Sequence, residues 1–150
     1  MDKQAVIAKL NDCLRHEWTG VAQYAQAGFV VAGLFREVYS DKFHDAAKES
    51  FGHAKKVGEK IVALGGIPTV ERNPIKQTDD LLEMLNNGLE FESKAVKLYT
   101  EACVLAEGDR ALVIFLEDIL KEEQDGVDEF VRILRDNKAV AASSPASKVG

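Results

Sequence analysis

The chain has 150 residues and a mass of 16.5 kDa, enough for one domain with a substantial core. Its 46% hydrophobic and 29% charged residues are the balance of a globular chain and exclude a disordered one. The net charge of -6, from 25 acidic against 19 basic side chains, argues against nucleic acid as a partner. The longest apolar run, Gly28 to Phe35, is too short to cross a membrane.

The opening Met1-Asp2-Lys3-Gln4 enters a helical pattern at once, without the apolar core of a signal peptide. The first helix is predicted over roughly 3–36. A break follows near Ser40-Asp41, where either residue could cap a second helix running to about residue 65. Gly65-Gly66 through Pro68 and Asn73-Pro74 then interrupt the helical pattern. A third helix is expected over roughly 78–107, ended by Gly108, and a fourth over 110–136, capped by Asp109. No stretch alternates with period two, so the expected fold is all-α. Residues 1–137 would form the domain, and the Ala- and Ser-rich 138–150 a flexible tail.

Short turns make helices one and two, and helices three and four, antiparallel neighbours. The connection of about a dozen residues between the pairs can reach roughly 40 Å when extended. That is about the length of one helix at 1.5 Å per residue. The crossover can therefore run the full length of an antiparallel four-helix bundle.

Helices one and three share a register at an offset of 75 residues, with seven identities across eighteen positions. Leu10, Asn11, Leu14, Glu17, Val21, Tyr24 and Ala27 match Leu85, Asn86, Leu89, Glu92, Val96, Tyr99 and Ala102. The repeat suggests duplication of a helical hairpin. It also puts a glutamate at the middle of each apolar stripe, where an unpaired carboxylate costs several kcal/mol. Glu123 does the same between Leu120 and Val127 in the fourth helix. In the second helix His53 lies near the stripe of Ser50, Val57 and Ile61, with Glu49 one turn before it. Converging carboxylates must either hold protons or share cations, and two divalent ions would balance four of them. Oxygen donors with one imidazole suit iron, or manganese, better than zinc or calcium. Cys13 and Cys103 have no zinc or redox spacing and are expected to be reduced core thiols of a cytoplasmic protein.

The chain resembles the ferritin-like superfamily, and most closely bacterioferritin, over about residues 5 to 136. The resemblance rests on Leu10-Asn11-Asp12-Cys13-Leu14-Arg15-His16-Glu17 with Gln23-Tyr24, on Phe43-His44-Asp45 through His53-Ala54, on Leu89-Glu90-Phe91-Glu92 and on Ile119-Leu120-Lys121-Glu122-Glu123. It implies a bundle with one long crossover between helices two and three. It implies two iron ions, with Glu17 and His53 as terminal ligands of one, Glu92 as terminal ligand of the other, and Glu49 and Glu123 bridging. The family oxidises Fe(II) with O2 or peroxide for iron storage or detoxification, and assembles as homo-oligomers, so a dimer at least is expected. The chain departs from the family at three positions. Ser50 stands where Glu-x-x-His would place its glutamate, which a π-bulge bringing Glu49 inward could offset. Gly126 stands where the second histidine would be. Phe51 replaces the haem-binding methionine, so no haem is expected. Besides a ferroxidase, a rubrerythrin-like peroxidase or oxygenase and a structural subunit with an impaired centre remain open.

Overall fold

The computed structural model describes residues 1–143, with side chains to residue 135; the end of the expected tail, 144–150, lies outside the described residues. Four helices follow in order: α1 Lys3–Val30, α2 Arg36–Ala63, α3 Leu81–Leu105 and α4 Arg110–Ser143. Three starts are set by aspartate. Asp2 accepts from the amides of Gln4 and Ala5, Asp80 from Glu83 and Asp109 from Leu112. At the end of α2, Gly65 takes φ +87, and Gly65 and Gly66 return their amides to Val62 and Ile61. That pair of bonds is the Schellman ending that glycine permits.

The α1–α2 turn lies earlier than the expected break at Ser40-Asp41. Gly33 adopts φ +91, α1 stops at Val30, and α2 starts at Arg36. Ser40 is inside α2, and its hydroxyl donates to the Gly28 carbonyl across the turn. The apolar run Gly28 to Phe35 hid the turn because only one glycine in it needs the left-handed region. At the other end α4 continues to Ser143 instead of stopping near residue 136. The added residues include Ala139, Ala141 and Ala142, strong helix formers.

α1 packs on α2 and on α3, and α3 on α4. Pairs such as Lys9 with Glu101, Tyr24 with Gly88, and Lys42 with Glu129 show that α1 opposes α3 and α2 opposes α4. The crossover runs along α1 in the same direction, fastened by α1 side chains. Asn11 bonds Ile67 and Thr69, the Trp18 indole donates to the Thr69 carbonyl, Thr19 accepts from Asn73, and Gln23 accepts from Lys76. Backbone groups of an irregular, partly exposed segment are thereby satisfied without a sheet. No helix among the described residues is long and apolar enough to cross a membrane.

The core is two apolar clusters rather than one. One gathers Leu10, Leu14, Val57, Ile61, Leu116 and Ile119; the other Tyr24, Phe43, Leu85, Phe91, Phe130 and Leu134. Both cysteines are free, with Cys13 buried and Cys103 half-buried. A layer of polar side chains from all four helices separates the clusters.

Candidate metal centre

Four ionisable side chains fill that layer: Glu17 is 0% exposed, His53 2%, Glu123 3% and Glu92 9%. Each is placed by helix periodicity, in the middle of a mostly apolar buried face. His53 is the hub. Its Nδ1 lies 2.8 Å from Glu123 Oε1 and 3.5 Å from Glu17 Oε1, and its Nε2 lies 2.6 Å from Glu122 Oε2. Ligand atoms of Glu17, His53 and Glu123 all fall within 4.8 Å of one another.

The two tyrosines of the repeat are crossed between α1 and α3. Tyr99 donates to Glu17 Oε1 at 2.8 Å, and Tyr24 donates to Glu92 Oε1 at 2.7 Å. Each glutamate is therefore oriented by the tyrosine that stands seven residues after the other one. The repeat put both tyrosines on the buried face of their helices; the packing of α1 on α3 gave each its glutamate.

The electrostatics follow from burial. Desolvation pushes Glu92 up to about 9, helped by its hydrogen bond with Glu123. Desolvation and the neighbouring Glu17 push Glu123 up to about 7. Burial opposes the His53 imidazolium, but hydrogen bonds and charge from Glu123 and Glu17 outweigh it and hold His53 up at about 11. Both tyrosines are raised well above their usual range, chiefly by burial.

Glu49 does not join the buried set. Its side chain is exposed, and α2 is α-helical through this turn, without the π-bulge that could have turned Glu49 inward. The buried residue of that turn is Ser50, packed beside Gly20 of α1. Glu49 instead groups with His53 and Glu122 on the outer side of the histidine. Three buried glutamates meet here, not four. Glu122 was missed as a partner of His53 because it sits one residue off the apolar stripe.

Gly126 lies directly under Glu92. A Cβ at position 126 would stand 3.0 Å from the Glu92 Cδ and 3.1 Å from Oε2. A groove of about 580 Å³, lined by Asp41, Asp45, Glu49 and Glu129, leads from the surface to Glu92 and Gly126.

A family model described as Ferritin, ferritin-like domain, matches residues 7–140. The chain belongs to this ferritin-like family. It is 30% identical to a bacterioferritin of Rhodobacter capsulatus, over 82% of this chain and 78% of that protein. Among solved structures, a ferritin-like, diiron-carboxylate protein of Bacillus anthracis superposes with a TM-score of 0.86 at 31% identity, covering 89% of this chain and 98% of that one. A bacterioferritin-related protein of Bacteroides fragilis, described as a dodecameric thioferritin, superposes with a TM-score of 0.88 at 24% identity, covering 97% and 93%. The fold is the ferritin-like bundle with candidate metal ligands at its middle.

The residues present fit a bound metal on one observation above the rest. Glu17 Oε2 is buried and has no hydrogen-bond partner, and it is the only such side-chain atom among the described residues. An acceptor left unpaired in a dry interior costs about 1–3 kcal/mol, which a cation at that point would offset. Oxygen donors with one imidazole nitrogen form a set suited to iron or manganese.

Proposed function

We propose that this ferritin-like chain binds Fe(II) between its buried carboxylates and oxidises it with O2 or H2O2, in iron storage or detoxification. The unpaired Glu17 Oε2, buried beside His53 and Glu123, carries the reading. The description of the Bacillus anthracis relative as a diiron-carboxylate protein supports iron, and two ions per chain at full loading. Manganese would compete for the same donors.

Iron held there would supply the electrons that reduce the oxidant. The chain's own residues do the rest. Tyr99 and Tyr24 fix the terminal carboxylates Glu17 and Glu92. His53 turns Nδ1 inward and donates from Nε2 to Glu122, the carboxylate–histidine pairing that orients a metal-binding imidazole. On binding, Nδ1 must give up its proton, so loading releases acid. The apolar clusters above and below close the layer along the bundle axis, and the groove at Gly126 leaves its Glu92 side open. Phe51 offers no donor to a haem iron, so no haem forms part of the proposal.

We also propose a homo-oligomer. Leu34 is 97% exposed, Ile67 87% and Val70 85%, apolar side chains that contacts between copies would cover. The dodecameric Bacteroides fragilis neighbour supports the same reading. Light scattering on the purified chain checks it, and a monomer at micromolar concentration refutes it.

Aerobic Fe(II) oxidation, followed by ferric absorbance, tests the centre. The wild type should oxidise Fe(II) well above the rate in buffer, and Glu17→Ala and His53→Ala should not. Equal rates for all three proteins would dismiss the centre. Gly126 favours one rival, a structural subunit with a lapsed centre, which would retain no iron after anaerobic loading and desalting.

A further inference from the structure

The crossed tyrosine–glutamate pairs relate α1 and α3 by an approximate twofold, and α2 and α4 break it. α2 brings a nitrogen, His53, but has Ser50 where the carboxylate one turn earlier would stand. α4 brings a carboxylate, Glu123, but has Gly126 where a nitrogen one turn later would stand. The surviving members of the two pairs fall on the same side. Glu123 approaches His53 at 2.8 Å, and Glu17 lies 3.5 Å from the same nitrogen.

Resting on the iron-binding reading above, we infer that this chain holds one divalent ion tightly, at Glu17, His53 and Glu123, and a second only weakly, beside Glu92. The tight position has two carboxylates and an imidazole with ligand atoms within 4.8 Å of one another, and Glu17 Oε2 is buried and unpaired there. The weak position has no nitrogen. Its one terminal carboxylate, Glu92, already accepts from Tyr24 and rests over Gly126, in space that a side chain at 126 would occupy. Ser50 cannot contribute the missing oxygen from where it is. Its hydroxyl lies 2.5 Å from where a Gly20 Cβ would be, so it closes the α1–α2 contact instead. The groove over Gly126 opens the weak position to solvent, while the tight one is sealed. One ion is thus resident and the other exchanges.

Titration of the metal-free full-length chain with Co(II) tests this, read by visible d–d absorption and by equilibrium dialysis. One Co(II) per chain should bind roughly 10- to 100-fold or more tighter than any second, the scale on which ligand-shell losses act. Glu17→Gln should remove the tight equivalent, whereas Glu92→Gln should keep it. Gly126→His should add a second tight equivalent, and Gly126→Ala, which fills the space without a donor, should not. Circular dichroism on each variant separates loss of binding from loss of fold. If Gly126→His fails to fold, the near-isosteric Glu17 and Glu92 variants decide the matter alone. Two equal equivalents in the wild type, or loss of the tight one in Glu92→Gln, overturn the inference and leave the iron-binding reading standing. No Co(II) bound at all overturns both.

Discussion

Raising the pH should destabilise the metal-free protein, and a divalent ion should reverse the effect. Glu92 is pushed up to about 9, Glu123 up to about 7, and His53 is held up at about 11. Each group binds its proton more tightly folded than unfolded. Its contribution is complete below its unfolded pKa and is lost as pH rises through its folded one. For Glu92 the loss runs from its ordinary 4.5 to about 9, for Glu123 from 4.5 to about 7, and for His53 from 6.5 to about 11. All three act in the same direction. One pKa unit is worth about 1.4 kcal/mol, so Glu92 alone should remove roughly 3 kcal/mol between about pH 6 and pH 8. Urea titration of EDTA-treated protein, followed by Trp18 fluorescence, measures this directly. Adding Mn(II) should flatten the slope, because the ion takes the place of the protons. Glu92→Gln should flatten it too, since the amide stands in for the protonated acid. Stability that stays constant or rises over this range in the metal-free protein would refute the electrostatic account of the layer.

Tyr99→Phe removes the donor to Glu17, which already has one unpaired oxygen, and should cost about 1–3 kcal/mol in urea unfolding; unchanged stability would show that Glu17 finds another partner. Glu122→Gln should leave the fold intact but weaken Co(II) binding roughly 10- to 100-fold by dialysis, because His53 loses the carboxylate that accepts from Nε2. Gly88→Ala would place a Cβ 2.6 Å from the rigid Phe130 ring, so its thermal midpoint should fall by the equivalent of about 1–3 kcal/mol.

Much of this architecture was legible in the residues because helix periodicity is local. Glu17, Glu92 and Glu123 could be placed on buried faces by counting, and all three are buried. Glu49 marks the limit of counting. It lies four residues from His53, near enough in angle to share its face, yet the regular turn buries Ser50 and leaves Glu49 outside. The α1–α2 turn was misplaced for a related reason: the backbone at Gly33, not the composition around it, ends α1. Glu122 was not assigned to His53 because it sits one residue off the apolar stripe of α4, where counting does not place a partner.

The amino-acid order by itself determined four helices, their pairing, the long crossover and the height at which charge is buried. Those properties depend on a 3.6-residue period, on glycine and proline, and on chain length. Only the packed bundle decided how the charged groups divide: Tyr24 to Glu92, Tyr99 to Glu17, His53 toward Glu123, and Glu92 over the gap at Gly126. Such choices are settled by a few ångströms between side chains on different helices. No pattern within one helix encodes those distances.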